Sequence, residues 1–181
     1  MNLIKMVREY AIENGKEVDR TALRVGFIPQ EDFVRDHQQT IILCHDAFIK
    51  YDGGILLVTR DNVPAKDMLW PVGGKVQRGV ETKESLREKV RAECGLEIKN
   101  LEELGPGRTL FDTDPFGHGK GTDTFNLVYF AEGEGELNLD RLHKSPRIIK
   151  PQDYTPEFRD SLHPYVRDCM DICIEKLRGL Q

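Results

Sequence analysis

Apolar residues recur along the chain at two different periods. From Asn2 to Asn14, Leu3, Ile4, Val7, Tyr10 and Ala11 fall at helical spacing, and Gly15 supplies a stop. Gln30 to His37 predicts a further helical turn or two. Thr40 to Tyr51 is rich in β-formers; the turn Asp52-Gly53-Gly54 and the apolar run Ile55 to Thr59 complete a hairpin pattern. Trp70-Pro71-Val72-Gly73-Gly74 reads as an irregular glycine-rich loop. Thr82 to Cys94 returns to helical spacing and is closed by Gly95 at the C′ position. Strand-like pieces follow at Arg108–Thr113, Thr122–Ala131 and Arg147–Lys150, and Asp114 to Gly121 predicts a mobile, solvent-facing loop between the first two. Thr155-Pro156-Glu157 has the N-cap, N1 and N2 residues of a closing helical region that runs to about Arg178 and is split by Pro164. Central strands with helices inserted and at both ends predict the α+β class. The expected organisation is a helical N-terminal extension over residues 1–38, serving as an added element or a homodimer contact, and one domain with C-terminal helices over residues 39–181.

Composition narrows the functions. A chain of 181 residues has the length of one domain, enough to bury roughly 70% of its unfolded surface. Lys and Arg number 26 against 31 Asp and Glu, for a net charge of -5. That balance argues against a nucleic-acid partner and still allows a small basic pocket. No apolar run approaches the ~20 residues of a membrane span, and the first residues do not open a signal peptide, so no membrane partner is expected. Cys44, Cys94, Cys169 and Cys173 show neither Cys-x-x-Cys nor zinc spacing, which fits a reducing cytoplasm. Cys169 and Cys173 share a face of the predicted last helix, as two buried thiols or as a redox or metal pair.

The segment Gly73 to Leu96, GGKVQRGVETKESLREKVRAECGL, is the richest in chemistry. It resembles the signature of the Nudix hydrolases, G-x5-E-x7-R-E-U-x-E-E-x-G-U, with U a bulky aliphatic. The resemblance implies the Nudix fold, a mixed sheet between helices, whose loop–helix–loop binds divalent cations beside a diphosphate. Magnesium, or manganese in its place, wants hard oxygen ligands, and helix positions i, i+3 and i+4 share a face on which carboxylates can converge. Laid on without gaps from Gly74 to Gly95-Leu96, the signature is degenerate. Val80 stands at the first Glu, Glu88-Lys89 at Arg-Glu, and Ala92-Glu93 at Glu-Glu. Of the metal-binding carboxylates only Glu93 remains, and Lys89, one turn earlier, puts a positive charge on the same face. A one-residue slip would align Glu81 with the first Glu and Arg87-Glu88 with Arg-Glu. The loop can absorb that slip and bring Glu81 in. The helix cannot without a bulge, because Glu88 and Glu93 are about 140° apart around it.

One Nudix branch, the GDP-mannose mannosyl hydrolases, has similar departures: it lacks two helix carboxylates and reads Ala-Glu-x-Gly-Leu. Glu31-Asp32-Phe33, His45-Asp46-Ala47, Leu56 to Arg60, Asn62, Pro64-Ala65, Trp70 to Gln77 and Gly121-Thr122-Asp123 resemble segments of that branch, over residues 30 to 130. The resemblance implies that Glu93 and the Gly74 carbonyl hold the metal. The branch's third ligand, a glutamine, has no clear counterpart here, with Gln152 a candidate. It further implies substrate contacts for Asp46, Arg60 and Lys75. Lys75 replaces an arginine, keeping its charge and losing its fork, and Val63 replaces a second arginine. In the branch, water attacks the sugar C1, so the sugar inverts and an intact nucleoside diphosphate leaves. A late-loop histidine is the base, and His143 is the nearest candidate. The blander readings are a solvated basic loop around His143, a core tryptophan at Trp70 instead of a stacking platform, and a cap or surface role for His163. His118, between two glycines, is an alternative substrate contact.

Three functions compete on these residues. The first is a magnesium-dependent hydrolase of a nucleoside diphosphate sugar, GDP-mannose-like by the resemblance, motivated by Glu93, Gly74 and the glycine loop. The second is a non-hydrolytic nucleotide-binding module, motivated by Val80, Lys89 and Ala92. The third, ordinary pyrophosphate cleavage, needs more carboxylates than the helix presents.

Overall fold

The computed structural model describes residues 7–179. Its first elements are two short strands, β1 (Ile12–Glu13) and β2 (Lys16–Glu17), paired across Asn14-Gly15. Both turn residues have positive φ, 51° and 75°, as the tightest hairpin turns require. This corrects the expected N-terminal helix: none runs through residues 7–14, and positions 2–6 of that stretch lie outside the described residues. Gly15, the expected helix stop, forms a hairpin turn with Asn14 instead. A 3-10 turn at Arg20–Leu23 and α1 (Gln30–Gln39) complete this part of the chain.

The central sheet is built from β3 (Ile42–Tyr51), β4 (Gly54–Arg60), β5 (Leu69–Trp70), β6 (Val72–Lys75), β7 (Glu97–Phe111), β8 (Thr122–Glu134) and β9 (His143–Ile149). The strand order is β5-β4-β3-β8-β7, with β6 also on β3 and β9 also on β4. β3 is its axis. One edge of β3 pairs antiparallel with β6 and then with β4, while the other runs parallel to β8 from Ile42↔Thr124 to Lys50↔Glu132. Three helices cover the sheet: α2 (Thr82–Cys94), α3 (Pro156–Ser161) and α4 (Pro164–Gly179).

Strict alternation on the central strands makes the two layers. Ala47, Ile49, Leu56, Val58, Tyr129 and Ala131 pack with Leu86, Val90 and Cys94 of α2. Phe48, Ile55, Leu57, Val128 and Phe130 pack with Val166, Met170, Cys173, Ile174 and Leu177 of α4. Strands covered on both faces read as continuous apolar runs, which is why β3 and β4 stand out in the sequence. The result is the expected α+β mixed sheet between helices. No helix among the described residues is long and apolar enough to cross a membrane. Cys169 and Cys173 are both free on α4, and burial pushes the Cys169 thiol up to about 12.

Three further expectations change. The glycine segment is not irregular, because Val72 to Lys75 is a strand paired with Cys44 to Ala47. β7 begins at Glu97, well before the expected Arg108; its polar sequence and Pro106 are tolerated on an outer strand. The 114–121 loop is closed onto the protein. Both Asp114 carboxylate oxygens accept backbone N–H groups, from Phe116 and His118 on one and Gly119 on the other, at 2.9–3.0 Å. Phe116 packs edge-on against Phe33 and His37 of α1.

Candidate active site

Helix α2 has the unshifted register. Its N-cap is Glu81, whose carboxylate accepts the Glu84 N–H at 3.0 Å, so Glu81 caps the helix and does not swing into a site. Gly95 ends the helix with φ 74°. Glu88 accepts a hydrogen bond from Gln77 at 3.0 Å. At the other end of the chain's described part, the Glu9 carboxylate accepts the Thr82 N–H at 2.8 Å and pairs with Arg20, tying the N-terminal segment to the start of α2.

Glu93 lies buried where α2 meets β6. One carboxylate oxygen is 2.8 Å from the Lys89 ammonium, and the other accepts the Gly73 N–H at 3.3 Å. His143 enters this corner from β9, where it pairs with Arg60 of β4. It is buried and is not in a solvated loop. Its Nε2 stands 4.0 Å from the Glu93 carboxylate, too far for a direct hydrogen bond. Its Nδ1 is 2.8 Å from an Asp140 oxygen that also accepts the Leu142 N–H. Facing an acceptor, Nδ1 carries the ring proton and Nε2 is left open to receive one. A backbone bond from the Asp140 N–H to the Glu93 carbonyl, 2.8 Å, locks this turn onto the end of α2. Donor atoms of Glu93, Asp140 and His143 lie within 4.8 Å of one another.

A cleft borders this corner through Gly73 and Gly74. It has a volume of about 240 Å³ and includes Asp46, Arg60, Lys75, Trp70, Phe33 and Phe116 in its lining. Enclosed small-molecule sites run to roughly 300–1,000 Å³, so a ligand as large as a nucleotide would extend past it. An adjoining cavity of about 660 Å³ shares Phe33 and Lys75 and adds Arg24 and Arg78. Lys75 sits over the Phe33 ring at 4.6 Å, between the two spaces.

Asp46 is buried beside Gly73 and accepts the Tyr165 hydroxyl at 2.5 Å. Burial raises its carboxyl to about 6, against the pull of Tyr165 and Arg60. Between about pH 4 and 6 the folded chain therefore holds a proton that the unfolded chain has lost, and stability falls as pH rises through that window. Asp46→Asn should remove this cost. We expect it to raise stability at pH 8 by on the order of 1–3 kcal/mol and to change little at pH 4, as read by denaturant unfolding at the two pH values.

Arg60 lines the cleft, but its guanidinium bonds its own loop, to the Pro64 carbonyl at 2.8 Å and Asn62 at 3.2 Å. Trp70 is core, stacked on Tyr165 at 5.4 Å and edge-on to His163 at 5.3 Å. His163 accepts the Tyr165 N–H at 3.2 Å, as a cap would. His118 is not brought into the cleft; it bonds His37 at 2.8 Å, and His37 lines the cleft instead. Gln152 is exposed in the turn beyond the far end of β9, away from Glu93. Asp140 and Tyr165 went unrecognised in the sequence, although Asp140 sits three residues before His143.

No family model matches the chain. It is 24% identical over 148 residues to the low-salt glycan biosynthesis protein Agl8 of Haloferax volcanii, covering 80% of this chain and 89% of that one. Among solved structures it is similar to a MutT NUDIX hydrolase from Burkholderia pseudomallei, with TM-score 0.57, 19% identity, and 76% and 98% of the two chains covered. It is also similar to the E. coli ORF135 protein, with TM-score 0.55, 21% identity, and 78% and 94% covered. A MutT protein from Methanosarcina mazei gives TM-score 0.54 at 18% identity, with 77% and 94% covered. At these identities the likeness shows the fold, and the fold is Nudix.

Proposed function

We propose that this protein hydrolyses a nucleoside diphosphate sugar, with a GDP-mannose-like substrate as the sequence resemblance implies, and releases free sugar and intact nucleoside diphosphate. The observation that carries this reading is the Asp140–His143 pair, 2.8 Å apart, with the open Nε2 beside Glu93 and the Gly73-Gly74 floor. Such a pair is a general base with its orienting group. His143 Nε2 takes a proton from water as the water oxygen bonds the sugar carbon, and the bond from that carbon to the diphosphate oxygen breaks with its electron pair leaving on the diphosphate. Lys75 neutralises part of that charge, and the aromatic cleft around Phe33, Phe116 and Asp46 holds the rest of the ligand. The name of the Haloferax relative supports a sugar-linked substrate, since glycans are assembled from activated sugars. The MutT and NUDIX names of the structural neighbours support hydrolysis. The exposed Tyr10, Ile12, Val25 and Phe27 of the N-terminal segment support a homodimer contact.

The implied magnesium or manganese ion does not fit the donor set as it stands. Of the box carboxylates only Glu93 is present, and both its oxygens are engaged, one by an ammonium. His143 Nε2 is still open beside Glu93, but it adds an imidazole nitrogen where magnesium takes oxygen, and Nδ1 of the same ring already holds an Asp140 oxygen.

The test is a panel of nucleotide sugars incubated with the protein in ¹⁸O-water, followed by proton and phosphorus NMR. We expect inverted free sugar carrying the label and unlabelled nucleoside diphosphate. A nucleoside monophosphate with a sugar phosphate would place attack at phosphorus. Binding without any product would make the protein a binding module.

A further inference from the structure

We propose that the Lys89 ammonium is the resident cation of this site, standing where a divalent metal is implied and receiving the diphosphate in its place. The inference rests on the reading of the Gly73-Gly74 cleft as a diphosphate site. Lys89 lies one helical turn before Glu93 on the same face of α2, and its Nζ is 2.8 Å from the Glu93 carboxylate. Its stem crosses directly over Gly74: a Cβ built on that residue would stand 2.7 Å from Lys89 Cε and 3.4 Å from Nζ. Gly74 has φ 157°, at the edge of the range that L side chains rarely adopt, so the backbone as well as the lysine favours glycine there. The ammonium thus pairs with Glu93 and lies beside Gly74, the two residues implied as metal ligands.

The charge is held and still reachable. Glu93 is 7% exposed and Lys89 36% exposed at their side chains. An ammonium has three donors, and the pair with Glu93 occupies one. Arg60 and Lys75 add positive charge in the lining of the cleft that Gly74 borders. A fixed charge of this kind needs no ion from solution, and it stabilises a departing diphosphate less than a divalent ion would. Breakage at the sugar carbon, where less charge builds on the bridging phosphorus, suits that weaker cation.

The experiment uses the full chain and two probes. Guanosine diphosphate binding is measured by calorimetry in EDTA and in magnesium, and manganese binding by electron paramagnetic resonance without nucleotide. Wild type should bind the nucleotide comparably in both buffers and should hold no manganese. Lys89→Met, which keeps the stem over Gly74 and removes the charge, should weaken binding in EDTA by about 10–100-fold. Lys89→Glu should do the same and gain manganese binding that Glu93→Gln abolishes. Circular dichroism checks that each variant folds, and Lys89→Met carries the test if Lys89→Glu does not. Wild-type binding only in magnesium, or manganese held by wild type and lost in Glu93→Gln, overturns the inference and leaves the nucleotide site standing. No binding of nucleotide in either buffer overturns the nucleotide reading and the inference with it.

Discussion

Replacing His143 by alanine is expected to slow release of sugar by roughly 10²–10⁴-fold, the range of a lost general base, while nucleoside diphosphate affinity stays nearly unchanged. The expectation follows from position. Nδ1 is held by Asp140, and Nε2 is the open nitrogen of a buried imidazole beside the cleft floor. Asp140→Asn should fall between wild type and His143→Ala, because the amide can present its N–H and turn the ring into the wrong tautomer. Initial rates on the nucleotide sugar that shows turnover, with calorimetry of the nucleoside diphosphate alongside, separate chemistry from binding. Unchanged turnover in a folded His143→Ala protein would move the base elsewhere, with His37 in the cleft lining the next histidine to replace.

Gly73→Ala should be among the most damaging single-methyl additions in the chain. A Cβ there would collide with the His45 carbonyl and would stand 2.5 Å from an Asp46 carboxylate oxygen and 2.8 Å from Asp46 Cα. Two of these atoms are backbone of the neighbouring strand, held by the β3–β6 ladder, so they cannot swing aside. We expect a loss on the order of 3–5 kcal/mol, a fall in Tm of about 6–20 °C for a domain of this size. Gly26→Ala is the matched control: nothing lies within 4 Å of its added methyl, and stability should hold. Thermal unfolding of the two variants side by side checks the contrast, and equal Tm values would mean that β6 is not fixed to β3 as described.

The parts of the fold that were legible in the sequence are those whose cause is local. The β3–β4 hairpin announces itself through Asp52-Gly53, both at positive φ, and α2 through its Leu86-Val90-Cys94 stripe and closing Gly95. The part of β7 before Arg108 is hidden because an outer strand with one wet face has no apolar run to display. The N-terminal hairpin is hidden because five apolar residues at helical spacing outweigh one Asn-Gly pair. For the site, Glu93 and Gly74 come from one short motif and are neighbours through α2 and β6. Asp46 and Gly73 meet through a strand pairing, as do Arg60 and His143. No spacing in the sequence encodes such pairings, so the partnership of His143 with Glu93, and the part taken by Asp140 and Tyr165, become visible only in three dimensions. Lys89 is the instructive case. In the sequence it is a charge in the wrong place, and only the fold shows its ammonium paired with the buried Glu93 carboxylate beside Gly74.

The parallel pairing of β3 with β8 has a consequence for the chain as it is made. The paired residues are 82 positions apart. One edge of β3, which includes the apolar run Ala47-Phe48-Ile49, therefore stays open until Glu132 has left the ribosome. At about 5–20 residues per second that interval is roughly 4–16 s. Throughout it the nascent chain carries an uncovered strand edge, the surface most prone to pair with another chain. Closing the loop then costs on the order of 4 kcal/mol of chain entropy before β8 contributes any packing. The yield of folded protein in a cell should thus depend on translation speed between residues 50 and 132, and on chaperones that hold the chain during that interval.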